Sequence, residues 1–102
     1  MTITVMSMYP KGAEFNLEYY TKVHKPPIYE AMKPFGFSNP RIMVPKTEDN
    51  PYEIISMGDF PDWESFERYK AETPASYWEE WRGRAKNFTK IVPIQVVMET
   101  TH

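Results

Sequence analysis

The sequence predicts an α+β fold, in which an antiparallel sheet carries its helices on one face. Short stretches where apolar and polar residues alternate, a pattern typical of strands, occur at both ends of the chain and in its middle. Two regions with apolar residues three and four positions apart, typical of amphipathic helices, lie between them. The predicted element order is β-α-β-β-α-β, and 102 residues suit a single domain that spans residues 1–102.

The first strand and the first helix are predicted from the amino-terminal quarter of the chain. Residues 2–9 alternate as a strand, and the Pro10-Lys11-Gly12 sequence ends it. Asn16 can accept hydrogen bonds from the free amides of a helix that follows it. The 3.6-residue period of that helix turns three side chains toward the sheet, namely Leu17, Tyr20 and His24.

Two consecutive prolines predict a break in this helix. Pro26 and Pro27 have no amide hydrogens, and the position of Lys25 before a proline disfavours a helical backbone there. The helix is therefore expected to end near His24. Because proline is well tolerated in the first turn of a helix, a second short helix is expected over residues 27–33, closed by Gly36.

The remaining elements complete the pattern. Asp62 is predicted to cap a helix that carries Trp63 and Phe66 on its inner face, and Thr73 followed by Pro74 to open another helix that ends near residue 86. Further strands are predicted over residues 38–44, 52–60 and 91–99, with a polar loop over residues 45–51. This connectivity is that of the ferredoxin-like fold.

Both faces of the predicted sheet are apolar. In the last strand Ile94 and Val96 lie on one face, and Ile91 and Val97 lie on the other. A half-covered antiparallel sheet normally alternates apolar and polar residues, so two apolar faces need two covers. The helices cover one face, and the sheet of a second copy would cover the other, which predicts a homodimer joined through its sheet faces. The alternative is a monomer in which that face forms a ligand groove.

The composition excludes several classes of protein. Twelve Lys and Arg against fourteen Asp and Glu give a net charge of -2, so no basic surface for nucleic acid is expected. Cysteine is absent, which excludes a disulfide framework and a thiolate zinc site. No secretory signal is visible and no apolar run approaches the ~20 residues of a membrane span. We therefore expect a cytoplasmic protein that does not associate with a membrane.

Aromatic residues make up 16% of the chain, and seven Met accompany them. Such residues suit a core, an interface or a pocket for a flat apolar ligand. Tyr77, Trp78 and Trp81 form one such group. These three side chains can line a pocket, or they can form the core stripe of their own helix.

Three segments of the chain resemble the EthD family. Residues 15–26 are similar to the family signature, in which a tyrosine pair precedes a histidine by four residues and a proline follows. Residues 87–95 resemble the carboxy-terminal motif of the family, and residues 1–10 resemble its first strand. The resemblance implies a ferredoxin-like subunit that forms a dimeric α/β barrel, with a pocket between sheet and helices. The chain departs from the family at Lys25 and Pro27, where methionine and leucine are usual.

His24 is the main candidate for chemistry. It lies four residues after Tyr20 on the same helical face, and a histidine in an apolar enclosure can transfer a proton near neutral pH. Tyr20 can orient it or donate to a developing oxyanion. Burial lowers the pKa of such a histidine while a helix carboxy terminus raises it, so the sign of the shift is open. The alternative is a structural histidine bonded to a carbonyl that the prolines leave free.

Substrate contacts are predicted for Tyr19, Asn87, Trp78 and Trp81. Asn87 can instead be a helix-end residue, because asparagine tolerates left-handed geometry there. No cluster of histidine and carboxylate has the spacing of metal ligands, and none of the four glycines forms a phosphate-binding loop. Neither a metal nor a cofactor is therefore expected.

Two functions fit these residues. The first is a cofactor-independent acid/base enzyme of catabolic or secondary metabolism, of the cyclase, dehydratase, decarboxylase or oxygenase type. Its substrate would be a small apolar or aromatic carbonyl or phenolic compound, and the EthD resemblance adds that related fungal proteins dehydrate or decarboxylate polyketides. The second function is a non-catalytic protein that holds such a compound for a separate oxygenase system.

Overall fold

The computed structural model describes residues 1–102. Its strands are β1 (Ile3–Pro10), β2 (Ser38–Met43), β3 (Tyr52–Phe60) and β4 (Ile94–Glu99). The first helical region begins with α1 (Leu17–Tyr19), continues through a π-helical segment (Tyr20–His24) into α2 (Lys25–Met32) and ends in a 3-10 turn (Lys33–Phe35). Two further helices are α3 (Trp63–Glu72) and α4 (Ala75–Ala85). The antiparallel strand order β2-β3-β1-β4 confirms the predicted ferredoxin-like α+β fold. None of the helices combines the length with the apolar character that crossing a membrane requires.

The predicted caps and stop of the helices are present. The Asn16 side chain accepts a hydrogen bond from the amide of Tyr19 at 3.1 Å, and the Asp62 side chain accepts one from the amide of Ser65 at 2.8 Å. Both bonds satisfy amide hydrogens that have no partner within their helix. Gly36 closes the 3-10 turn in a left-handed conformation with a φ of 83°, which favours glycine.

The predicted break at the two prolines is wrong. Lys25 has helical backbone angles, φ -71° and ψ -38°, and its amide bonds the carbonyl of Tyr20, five residues earlier. This wider turn resets the hydrogen-bond register of the helix. Pro26 and Pro27 consequently fall in the first turn of α2, the part of an α-helix that tolerates proline best. The backbone stays helical from Leu17 to Met32.

The π-helical segment also decides which side chains face the sheet. Tyr20 and His24 are each 1% exposed, whereas Leu17, predicted to share their stripe, is 39% exposed. In a π-helix the hydrogen bonds join residues five apart, so side chains four or five positions apart lie above one another. The wider turn therefore keeps Tyr20 and His24 together and leaves Leu17 on the surface.

The starts of β4 and α4 differ from the prediction, and each lies beside a proline. β4 begins at Ile94 rather than at residue 91, because Pro93 has no amide hydrogen to pair with the neighbouring strand. Pro74 takes the N-cap position of α4 that was predicted for Thr73. The hydroxyl of Thr73 donates instead to the carbonyl of Tyr69 near the end of α3.

The core lies between the sheet and the helices. Alternate residues of β3 are buried, which shows that one side of this central strand faces the helices and the other faces away. Two apolar clusters fill the helix side. The first consists of Ile3, Ile28, Met32, Phe60, Phe66 and Tyr69, and the second of Tyr9, Tyr20, Ile54 and Phe88.

The opposite side of the sheet carries no helix and is rich in methionine. Met6 of β1 pairs with Met57 of β3 and with Val96 of β4, on the side away from the core. The shortest dimension of the molecule is 18 Å, which fits one sheet and one layer of helices. We call this surface the open sheet face. Its apolar residues are Met6, Met8, Met43, Ile55, Met57, Ile94, Val96 and Met98.

Gly58→Ala is expected to destabilise the protein by about 1–3 kcal/mol, the usual cost of overpacking a core. Gly58 lies on the buried side of β3, and a Cβ at this position would overlap the aromatic ring of Phe37. Urea denaturation at a fixed protein concentration measures the loss. In a Phe37→Ala background the ring is absent, so the same glycine substitution should cost much less there.

Gly83→Ala is the matched control for this experiment. Gly83 lies within α4, and a Cβ there would meet no atom. The control substitution should stabilise the protein by about 0.5–1 kcal/mol, because alanine favours the helix over glycine. A Gly58→Ala variant as stable as the wild type would contradict the packing of Phe37 against β3.

Candidate functional site

A cavity of about 420 Å³ lies between the sheet and the helices. This volume is in the range of sites for small molecules. Strands β1, β3 and β4 form its floor, and α2, α3 and α4 form its walls. Twelve of the nineteen residues that line it are hydrophobic, so the cavity suits an apolar body.

Both predicted tryptophans line this cavity. Trp78 and Trp81 project from α4, and both also pack against the apolar cluster around Phe60. Tyr77 does not line the cavity; its hydroxyl shares a hydrogen bond of 2.7 Å with the hydroxyl of Tyr69. The sequence left open whether Trp78 and Trp81 line a pocket or belong to the core stripe of their helix. In the structure they do both, because one face of α4 contacts the core and lines the cavity.

A row of three polar side chains crosses the cavity floor. Ser7 of β1 pairs directly with Ser56 of β3 and with Gln95 of β4, and all three line the cavity. Ser56 accepts a hydrogen bond from the Tyr20 hydroxyl at 2.9 Å, and Ser7 accepts one from the Gln95 amide at 3.3 Å. Since each serine oxygen already accepts a bond, each serine hydroxyl can donate its hydrogen to a ligand oxygen.

His24 is buried beside the cavity rather than on its wall. Arg84 donates from Nε to Nδ1 of His24 at 3.1 Å, which places the proton of the neutral ring on Nε2. The imidazole stacks on the ring of Tyr20 and meets Trp81 edge-on, with centroid separations of 5.6 and 5.1 Å. His24 thus contacts two residues beside the cavity: Tyr20, which bonds the lining residue Ser56, and Trp81, which lines the cavity itself.

The surroundings of His24 settle the sign of its pKa shift. Burial, followed by the positive charges of Arg84 and Lys25, lowers the pKa of His24 to about 3. The helix continues past His24, so the raising effect of a helix end is absent. The imidazole is neutral at physiological pH and is a weak base, which favours a structural role. Its hydrogen-bond partner is Arg84, however, and not the carbonyl that was predicted. A role in acid/base catalysis stays a prediction.

Burial has the opposite effect on the pKa of Tyr20. It raises that pKa, and the nearby charge of Lys25 offsets only part of the rise. The phenol therefore stays protonated and donates to Ser56. The Nζ atom of Lys25, itself a lining residue, lies 5.0 Å from the centre of the Tyr20 ring.

Tyr19 and Asn87 lie outside the cavity. The Asn87 side chain donates to the Tyr19 hydroxyl at 3.0 Å, and neither residue lines the cavity. The left-handed conformation considered for Asn87 is wrong, because its φ is not positive. A substrate contact by this pair stays a prediction. No group of His, Asp or Glu side chains is arranged to hold a metal ion.

Sequence reasoning missed the polar row and the cations around it. Ser7 lies between two methionines, and Ser56 lies between Ile55 and Met57. A single serine within an apolar strand is a signal for a polar spot on a buried sheet face. Arg84 gave no comparable signal, because its link to His24 depends on the packing of α4 against the π-helical segment.

Fold and cavity together define the class of protein: a small ferredoxin-like α+β protein with an apolar cavity of about 420 Å³ beneath its helices. The sequence matches no family model and no curated protein.

Solved structures share this fold over nearly the whole chain. An EthD-like protein from Ralstonia eutropha is 20% identical with a TM-score of 0.76, and the match covers 99% of this chain and 93% of that chain. A DABB family protein with a ferredoxin-like fold from Mesorhizobium loti is 14% identical with a TM-score of 0.65, covering 99% and 98%. SnoaB from Streptomyces nogalater, a cofactor-independent oxygenase, is 11% identical with a TM-score of 0.57, covering 99% and 93%. The chain thus has the ferredoxin-like subunit fold that the EthD resemblance implied.

Proposed function

We propose that this protein binds a small, flat molecule with an apolar or aromatic body and a carbonyl or phenolic oxygen, in the cavity between sheet and helices. The observation that carries the proposal is the polar row of Ser7, Ser56 and Gln95 across an otherwise apolar, aromatic cavity. Trp78 and Trp81 offer flat surfaces for the body of such a ligand. The two serine hydroxyls offer hydrogen bonds that fix the position of its oxygen.

A catalytic role is the first form of this function. The Tyr20 hydroxyl polarises the Ser56 hydroxyl, and a donor so placed would stabilise negative charge that develops on a ligand oxygen. His24 would then act as a positioning residue, since it is neutral and holds Tyr20 and Trp81. The cofactor-independent oxygenase SnoaB shares the fold, which supports this form by analogy alone.

A non-catalytic role is the second form. The low pKa of His24 favours it, because the cavity then lacks a base that works near neutral pH. The protein would hold its ligand for a separate oxygenase system. Recovery of the ligand after incubation separates the two forms: an altered compound indicates an enzyme, and an unchanged compound indicates a carrier.

We also propose that two copies pair through the open sheet face. Five methionines and three other apolar residues lie on this surface, and no helix covers them; the Arg41 side chain contacts one of them, Met57. A patch of this kind on a chain of 102 residues favours association, because a small domain buries a limited part of its own apolar surface. Two such sheets packed face to face form a closed layer between the two sets of helices.

Titration calorimetry with 2-acetylnaphthalene tests the binding site. The ketone should bind the wild type about five- to tenfold more tightly than naphthalene, because one hydrogen bond from a serine distinguishes them. Of Ser7→Ala and Ser56→Ala, the substitution that removes the donor should weaken binding of the ketone by a similar factor, and both should leave the affinity for naphthalene nearly unchanged.

Ser38→Ala is the control, since Ser38 is exposed on β2 and does not line the cavity. Equal affinity for the ketone and for naphthalene would remove the serines from the site. A folded protein that binds neither compound would contradict the cavity as the binding site.

A further inference from the structure

The cavity has an unbalanced charge. Its lining contains three cationic residues, Lys25, Lys70 and Arg82, and no aspartate or glutamate. The chain as a whole has the opposite bias, with fourteen acidic and twelve basic residues. The positive charge at the cavity is therefore a local feature and does not follow from composition.

Lys25 is the half-buried lining cation with no acidic partner, whereas Arg82, which also makes no ion pair, is exposed to solvent. Lys70 pairs with Glu67 at 3.7 Å, so its charge is partly compensated. The ammonium of Lys25 makes no ion pair and instead lies 5.0 and 5.6 Å from the ring centres of Tyr20 and Tyr29. Aromatic faces attract a cation but do not neutralise its charge. Lys25 thus leaves a free positive charge on the cavity wall.

Arg84 is a further uncompensated cation, and it lies behind this wall. Arg84 bonds His24 through Nε, but its Nη2 atom is buried and has no hydrogen-bond partner. The histidine cannot balance the guanidinium, because Arg84 and Lys25 both help to keep it neutral. A buried charge without a counter-charge is costly, so an anion bound nearby would be favoured.

We propose that the ligand of this cavity is an anion, a flat apolar molecule that carries a carboxylate, with the carboxylate beside Lys25 and the body against Trp78 and Trp81. The proposal rests on the proposed function and specifies its ligand class. A carboxylate enters an apolar cavity only where it is paired and hydrogen-bonded. Lys25 supplies the charge, and the hydroxyl of Ser56, which bonds the neighbouring Tyr20, supplies a hydrogen bond.

Calorimetry with a matched pair of probes tests this proposal. 2-Naphthoate and 2-naphthamide have the same flat body and differ in charge. The wild type should bind the naphthoate at least about tenfold more tightly, since a partly buried ion pair contributes at least that factor. Lys25→Met should remove most of this preference and change the affinity for the amide less than about twofold.

Lys22→Met is the matched control. Lys22 lies three residues before Lys25 in the same helical region, its side chain is 71% exposed, and its partner is Glu18. The control makes the same change in net charge at a residue that does not line the cavity. It should therefore leave the preference for the naphthoate intact. Lys25→Gln provides a second neutral variant if Lys25→Met unfolds, and circular dichroism verifies the fold of each protein.

Failure of this inference is distinguishable from failure of the proposed function. Equal binding of naphthoate and naphthamide by the wild type would overturn the anion proposal and leave the cavity as a site for neutral compounds. A preference for the naphthoate that Lys25→Met retains would also overturn it, because the charge would then act elsewhere. No binding of either probe by folded protein would overturn both.

Discussion

Met6→Glu is expected to convert a dimer into a monomer. Met6 lies at the centre of the open sheet face, directly between Met57 and Val96. In a two-fold symmetric dimer each copy would bury one carboxylate in place of an apolar side chain. Its desolvation costs several kcal/mol, which the Arg41 guanidinium beside Met57 offsets only in part. The dissociation constant should therefore rise at least about a hundredfold. Sedimentation velocity at micromolar concentration should find the wild type at twice the mass of one chain and the variant at the mass of one chain.

A second variant and a control make this result specific to the face. Ile94→Glu introduces the same charge on the edge strand β4, at a side chain that is 50% exposed in a single chain, so the fold should tolerate it. Val23→Glu introduces it at an exposed position of the π-helical segment, away from the sheet, and should leave the dimer intact. A wild type that sediments as a single chain would contradict the pairing of sheets.

Acid is expected to destabilise the protein through His24. The pKa of His24 is about 3 in the folded chain, whereas an unfolded chain titrates near 6.5. Between pH 6.5 and 3, therefore, His24 is protonated in the unfolded state but stays neutral in the folded state. The free energy of unfolding is fully present above pH 6.5 and decreases as the pH falls toward 3. At about pH 5 the free energy of unfolding should be about 2 kcal/mol lower than at neutral pH.

Urea denaturation of wild type and variants at the two pH values, at one protein concentration, measures this loss. His24→Gln should remove most of the difference, since no imidazole remains to be protonated. Arg84→Met should reduce it, because the guanidinium is one cause of the low pKa. His102→Gln makes the same change at an exposed residue and serves as the control. A pH dependence that His24→Gln leaves unchanged would place the titrating group elsewhere.

Local patterns were sufficient to predict the fold. Alternation placed the strands, and short polar side chains at Asn16 and Asp62 placed two helix starts, because these features depend on neighbouring residues alone. The π-helical segment was not predictable in this way. The rule that proline ends a helix assumes hydrogen bonds between residues four apart. Here the amide of Lys25 bonds the carbonyl of Tyr20, five residues earlier, in a segment whose Tyr20 and His24 side chains are packed in the core.

The candidate site was predictable only where it lies on one helix face. Periodicity placed Trp78 and Trp81 on the side of α4 that turned out to line the cavity. The polar row depends on strand register, which joins Gln95 to Ser7 across 88 positions of sequence. The pKa of His24 depends on Arg84, 60 positions away. Neither contact can be predicted from the residues that neighbour it in the sequence.

A crystal structure of the protein grown with saturating 2-naphthoate would locate the ligand. We expect electron density for the naphthalene rings between Trp78, Trp81 and the sheet, with the carboxylate beside Lys25 and Ser56. An empty cavity at saturation, or the ligand seated on the open sheet face instead, would contradict this expectation.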